Sequence, residues 1–313
     1  FFCPYNDPFS NTDKIERDLD EYSGDLRLLL TGDSLEGVVG VYHQSREEDT
    51  DRTYYGSFQS QYETNRSAIY GQLSGDLTGK LRLMGGVRFE KFDDDYKDSL
   101  AFDSDTSDDL WSGELSLEYS IDDNQMLYAT LSQGVKPGGV NVEANSSYPL
   151  MQPAFQAFMA DKLRFDHETL VNTEIGLKGD YFGQRLRLKA ALFHMDRDNA
   201  QLESWMWDDV NFLWIGYLDS GNDVESYGAE IELDFMLTDS LQLFANLGWL
   251  ETEVDEITVY DLDSSSFVNR SNREQAKSPN YQFNVGGRYQ FTTSLSGRFE
   301  VEGRDESFYG YYH

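Results

Sequence analysis

From Thr173 to Met195 the chain reads TEIGLKGDYFGQRLRLKAALFHM, two stretches of alternating character around Phe182-Gly183-Gln184. In the second stretch Leu186, Leu188, Ala190 and Leu192 alternate with Arg185, Arg187, Lys189 and Ala191. Side chains of a strand point to opposite faces in turn, so this pattern is one apolar and one basic-to-small face. Such runs exceed the roughly five or six residues usual for a soluble strand and reach the length that a tilted strand needs to cross a bilayer.

The unit recurs. Residues 22–30 place Leu26, Leu28 and Leu30 on one face, turn at Thr31-Gly32-Asp33-Ser34 and return over 37–44. A second hairpin covers 68–77 and 80–92 around Thr78-Gly79. In its return strand Leu81, Leu83, Gly85, Val87 and Phe89 oppose Arg82, Met84, Gly86, Arg88 and Glu90. Further pairs are predicted at 110–120 and 124–134, 225–236 and 240–251, and 280–290 and 294–304. Their turns are Asp122-Asp123, Thr238-Asp239 and Thr292-Thr293. Between hairpins lie long polar segments at 46–66, 93–109, 135–168, 198–224 and 252–278, read as loops.

Joints that alternate short and long through twelve antiparallel strands are the signature of an outer-membrane barrel, with short periplasmic turns and long extracellular loops. A propeller would repeat every four strands, and a sandwich would not keep its long loops at one end. The expected fold is therefore all-β, a transmembrane barrel over residues 21–313 behind an irregular lead-in at 1–20.

Composition sharpens this picture. The chain has 313 residues with 20 Tyr, 20 Phe, 26 Gly and 6 Pro, which suits strands and turns. Lys+Arg total 25 against Asp+Glu 57, a net charge of −32, which repels nucleic acid and anionic inner leaflets. The single Cys3 allows no internal disulfide and no cysteine metal site. Mean hydropathy is −0.59, and no apolar run approaches a membrane helix, a test that barrels escape because they show lipid only every second residue. With neither initiator Met nor signal segment, a larger protein is expected.

Four blocks resemble a known family. LYATLSQGVKPGGVN (127–141), NTEIGLKGDYFGQRLRLKAALFHMD (172–196), ESYGAEIELDFMLTDSLQLFANLGWLETEV (225–254) and SPNYQFNVGGRYQF (278–291) are similar to the barrel of TonB-dependent outer-membrane receptors. The resemblance implies a 22-stranded barrel, of which this chain supplies about twelve strands. It also implies a plug domain, not present in this chain, through which the TonB complex energises import of a small-molecule or metal-chelate ligand such as an iron siderophore. Outer-membrane lipid of a Gram-negative bacterium is the implied surrounding, with no cofactor and no catalysis. An open twelve-stranded sheet in lipid would leave unpaired edges, so more chain is expected.

Candidate sites follow. Gly138 and Gly139 open the longest loop, either as ligand contacts or as a bend that needs permissive backbone. Trp205, Trp207, Trp214 and Tyr217 form an aromatic group fit to stack on an organic ligand. Alternatively they are part of the interfacial girdle, as the spacing of two between Trp205 and Trp207 suggests. Arg82, Arg88, Arg185, Arg187 and Lys189, with Glu230, Glu232 and Asp234, would line the lumen as a charge lattice. Asp103-x-Asp105-x-Ser107-x-Asp109 with Glu114 has calcium-loop spacing, but Asp108 stands where that loop needs Gly, so a solvated acidic loop is preferred. His43 and Ser45 share a face and are similar to part of the site of the twelve-stranded outer-membrane phospholipases, yet Arg46 stands where that family has Asn-Gly. The remaining histidines, His167, His194 and His313, show no metal spacing. A barrel serving as docking subunit of a larger envelope complex is a further alternative.

Overall fold

Strands form here because short polar turns punctuate alternating sequence, and the turns carry their own locks. In the computed structural model, which describes residues 13–53, 56–261 and 263–311, Thr78 Oγ1 accepts hydrogen bonds from the Lys80 and Leu81 amides at 3.2 and 3.1 Å. Thr238 does the same for Ser240 and Leu241, and Thr292 for Ser294 and Leu295. Asp122 plays this part for the Asn124 amide. A hydroxyl or carboxylate that caps the amides two and three residues on is a turn device independent of the rest of the fold.

The strands are β1 (Lys14–Thr31), β2 (Leu35–Thr53), β3 (Ser57–Thr78), β4 (Leu81–Asp98), β5 (Asp103–Asp122) and β6 (Gln125–Lys136). A strap follows, with β7 (Gly139–Val140), α1 (Val142–Ser147), a 3-10 turn (Tyr148–Leu150), α2 (Pro153–Met159) and β8 (Arg164–Phe165). Then come β9 (Glu168–Tyr181), β10 (Leu186–Asp208), β11 (Leu213–Met236), β12 (Leu241–Asp261), β13 (Ser266–Arg273), β14 (Tyr281–Thr292) and β15 (Leu295–Arg304). Twelve of them pair antiparallel in chain order, from β1 through β6 and β9 through β12 to β14 and β15, while β13 pairs the outer end of β12. Among the described residues, β1 and β15 have a partner on one side only. All six short turns lie at one end of this sheet.

The expected lead-in and loops need correction. Lys14–Asp20 is already strand, while residues 1–12 lie outside the described residues. Four of the five polar segments are mostly strand rather than loop: β2 and β3 pair up to Thr53↔Ser57, β4 and β5 to Lys97↔Asp103, β10 and β11 to Asp208↔Leu213, and β12 and β13 to Asp261↔Ser266. Polarity misled the reading because a hairpin above the membrane needs no apolar face. Its backbone hydrogen bonds suffice to continue the ladder. Asp103, Asp105, Ser107 and Asp109 therefore stand in a row along β5 and cannot wrap one ion.

One face carries an exposed apolar belt, with Leu26, Val41, Ile69 and Phe89 adjacent across β1–β4, Ile175 opposite Leu192 on β9 and β10, and Ile231 diagonal to Leu192 on β11. At its upper rim Tyr227 packs edge-on against Trp249 at 5.8 Å, and Trp111 stands beside Phe89. At its lower rim are Tyr119, Tyr289 and Phe291. Tyr119 lies eight positions after Trp111, about 27 Å along the strand and roughly 21 Å in height after tilt, close to an apolar band ~25 Å tall. No helix among the described residues is long and apolar enough to span a membrane; the strands do so.

Candidate functional site

The strap crosses the face opposite the belt, the inner face, and the sequence pins it there residue by residue. Arg164 Nη2 reaches both oxygens of Asp94 on β4 at 2.8 and 2.7 Å, Thr106 Oγ1 at 2.7 Å and, through Nη1, Ser104 Oγ at 3.1 Å. Tyr62 on β3 donates to the same carboxylate at 2.9 Å. The Asp94 side chain is fully buried, so this guanidinium is what makes its burial tolerable. Arg52 Nη1 on β2 ties Ser146 at 3.0 Å.

On the other side Asp208, at the tip of β10, accepts from the Gln152 amide and side chain and from the Val210 and Asn211 amides and Asn211 Nδ2. Burial alone would raise this carboxyl; the bonds from Gln152, Asn211 and Val210 hold it below its ordinary value. Glu168 behaves likewise, with burial outweighed by two hydrogen bonds from Arg197, one to each oxygen at 2.9 Å, and by the Gln201 amide. Lys162 pairs with buried Asp219 of β11. Burial, and then the neighbouring Asp219, push the Tyr217 phenol up.

Apolar contacts complete the shelf. Phe155 and Met159 are fully buried against Met206, Leu213, Ile215 and Tyr217. Phe155 meets Tyr260 at 4.6 Å, and Phe158 stacks on Phe267 at 4.2 Å and 15°. Beside this core a cavity of about 180 Å³ opens between β10 and residues 275–277 and 309–311, lined by Arg197, Gln201, Glu203, Trp205, Lys277 and Tyr309 among others. It offers two cations, a carboxylate, an amide and two aromatic rings to one small volume, a mixture suited to orienting a polar organic molecule.

The structure sorts the predicted residues differently. Gly138 and Gly139 sit where β7 pairs β8; a Cβ on Gly138 would lie 2.6 Å from the Phe165 carbonyl oxygen, and one on Gly139 2.8 Å from the Phe165 ring. Close backbone approach accounts for both glycines.

The aromatic group is split. Tyr217 is buried under the strap, whereas Trp205 and Trp214 are exposed on the outer face and Trp207 stands between them. Two bulges cause the split, at Arg197/Ala200 and Ala200/Leu202 in the pairing of β10 with β11. Asn199 at φ 52° and Gly221 at φ 88° mark them. Each extra residue exchanges inward and outward positions, so odd-numbered Arg197 and even-numbered Leu202 both face inward. Strict alternation from Lys189 would have put Trp205 and Trp207 inside. They stand roughly 13 residues beyond Leu192, well above the belt, so the girdle is Trp111, Tyr227 and Trp249 instead.

By register Arg82, Arg88, Arg187, Lys189, Glu230, Glu232 and Asp234 lie on the inner face. Arg187 reaches Asp180 at 3.2 Å, Lys189 reaches Glu232 at 2.7 Å, and Arg88 lies 5.1 Å over the Tyr42 ring. Arg185 belongs to the turn instead and binds the Met236 carbonyl at 2.9 Å. His43 Nδ1 lies 3.0 Å from Ser67 Oγ rather than on Ser45. His194 is not isolated: β11 brings Glu225 to its Nε2 at 2.7 Å, and Asp196 lies 3.4 Å from Nδ1. Arg164 of the strap and the wall residues Asp94, Glu168, Arg197 and Asp208 around it carried no signal in the sequence beyond an aromatic and apolar stretch, MQPAFQAFM, inside an otherwise polar segment.

A family model described as TonB dependent receptor-like, beta-barrel matches residues 3–312. The pesticin receptor of Yersinia enterocolitica is 27% identical over 195 residues, which are 58% of this chain and 27% of that protein. The ferric yersiniabactin uptake receptor FyuA of Yersinia pestis superposes with TM-score 0.69 at 20% identity, covering 93% of this chain and 43% of that one. The copper transporter OprC does so with TM-score 0.67 at 17% identity, covering 88% and 42%. The likeness to these two structures concerns the fold, and the chain spans under half the length of each of these proteins.

Proposed function

The chain belongs to the TonB-dependent receptor family, of whose β-barrel it supplies a part, and from that premise we propose that it forms part of a receptor importing a scarce nutrient, such as an iron–siderophore chelate, across the outer membrane of a Gram-negative bacterium. Proteins of this family are transporters and receptors, not enzymes. One observation carries the reading: the strap spans the inner face from Asp94 to Asp208, making a rigid floor and wall at the extracellular end of the sheet. A receptor needs such a wall, because loops that hold a ligand must themselves be held.

The printed function of one similar structure supports a chelate as cargo: the ferric yersiniabactin uptake receptor names an iron chelate as that protein's ligand. In this reading the cavity beside Arg197, Lys277 and Tyr309 contributes to ligand capture, and the charged inner wall seats a plug. The barrel is completed to about 22 strands, and TonB energises passage. The test is uptake of radiolabelled ferric chelates by cells that depend on the whole receptor, with TonB present or deleted. We expect uptake of at least one chelate to fall to background without TonB. Uptake that is indifferent to TonB, or absent for every chelate that supports growth of the producing bacterium, would overturn the proposal.

A further inference from the structure

We infer that the outer face of the β10–β11 tip is a saccharide platform that holds the neutral sugar chains of the outer leaflet's own lipopolysaccharide. Trp205 and Trp214 are 40% and 58% exposed, and Phe212 at the turn is 50% exposed. Trp207 packs 5.1 Å from Trp214 and 6.2 Å from Phe212. Four large rings on one side of a two-stranded ribbon in water mark a recognition surface.

The rings are held in place. The Trp205 ring closes on Gly216, where a Cβ would come within 2.9 Å of it. Its indole Nε1 donates to Glu203 Oε1 at 2.9 Å. A pyranose has a C–H face that packs on the electron-rich face of an aromatic ring, and hydroxyls that bond a carboxylate at the ring's edge. The tip provides both.

Height selects among occupants. Trp205 is roughly 13 residues past Leu192, ~43 Å along the strand and about 30 Å above the belt at a tilt near 40°. Acyl chains do not reach it; the sugar layer does. Size selects too. Rings of 150–250 Å², about half exposed, form a patch of roughly 400 Å², half of the ~800 Å² per partner that a stable protein interface buries. Charge makes the last choice: Glu203 is paired with Lys277 at 3.3 Å, but the chain as a whole carries −32, so phosphorylated or acidic sugars are repelled by its overall field.

The test uses the whole receptor in detergent and polysaccharide released by mild acid from the producing cell's outer membrane, split into neutral and anionic fractions. We expect the neutral fraction to bind, at least tenfold more weakly after Trp207→Ala with Trp214→Ala, and unchanged after Tyr217→Phe on the buried side. Gly216→Val, which leaves every ring present but lifts Trp205, should weaken binding about threefold. In cells, a maleimide probe on Trp214→Cys should label faster when the sugar chains are genetically truncated. Binding of the anionic fraction alone, no binding by either, wild-type affinity in the double variant, labelling indifferent to truncation, or a self-association that the tryptophan changes abolish would each overturn the inference.

Discussion

Two parts of β10 obey different physics. Below Arg197 the strand is wall: it pairs β9 on one side and β11 on the other, its outward residues meet lipid, and its inward residues meet water. Above Asn199 it pairs only β11, its inward residues Leu202, Met206 and Asp208 are buried under the strap and its neighbours, and its outward residues meet water. The wall is held by its ladder and by the belt. The tip is held by a side-chain core of the kind found in soluble proteins. A single strand thus changes its inside from polar to apolar at one pair of bulges.

The largest effects should separate the two parts. Truncating Phe155 to Ala removes the centre of the tip core and should destabilise the strap by ~3–5 kcal/mol. Arg164→Ala, which leaves Asp94 buried without its partner, should cost a similar ~3–5 kcal/mol. In either variant, amide hydrogen exchange should rise across residues 142–159 while the lower halves of β9 and β10 keep their protection. Uniform loss of protection would mean that tip and wall are one cooperative unit.

Next in size is a charge on the outer face. Leu192→Arg in the belt should destabilise the barrel by about 2–4 kcal/mol, read as a lower urea midpoint in lipid. Trp205→Arg, on the same face but above the bulges, should change stability by no more than about 0.5 kcal/mol and leave that midpoint nearly unmoved. Equal effects would place both residues in one solvent.

Acid should loosen only the tip. The Glu168 and Asp208 carboxyls are held below their ordinary values in the folded protein, so their contribution is full above the unfolded carboxyl range and is lost as pH falls through it and then through the lowered values. Protease cleavage within the strap should therefore increase below about pH 4.5 while the wall stays resistant. Cleavage that is flat down to pH 3 would contradict this. The smallest effect is expected at the inner wall, where Lys189→Ala breaks an exposed pair with Glu232 and should change stability by under ~1 kcal/mol.

The wall was legible in the sequence and the tip was not, for a physical reason. Alternation is a faithful record of two-sidedness wherever lipid and water face each other, so Leu186 to Leu192 and Leu81 to Phe89 sort correctly by parity. Turn chemistry was equally local, as Thr78, Thr238 and Thr292 show. Above the membrane both faces of a hairpin tolerate polar residues, and 93–109 read as loop although its backbone continues the ladder. The face of Trp205 depended on a bulge at Asn199, a residue type only weakly informative about positive φ. Asp94 and Arg164 are 70 residues apart and meet only because the strap crosses the sheet.

The account stands on where the tryptophans are, and quenching by lipids brominated along their acyl chains measures that directly. Three proteins serve, each retaining one of Trp205, Trp214 and Trp249 with the other tryptophans changed to Phe. Trp249 should be strongly quenched, and Trp205 and Trp214 should fluoresce as if no bromine were present. Quenching of Trp205 or Trp214 to the level of Trp249 would put the tip in the bilayer and contradict the extracellular placement of the tip and strap and the functions proposed for both.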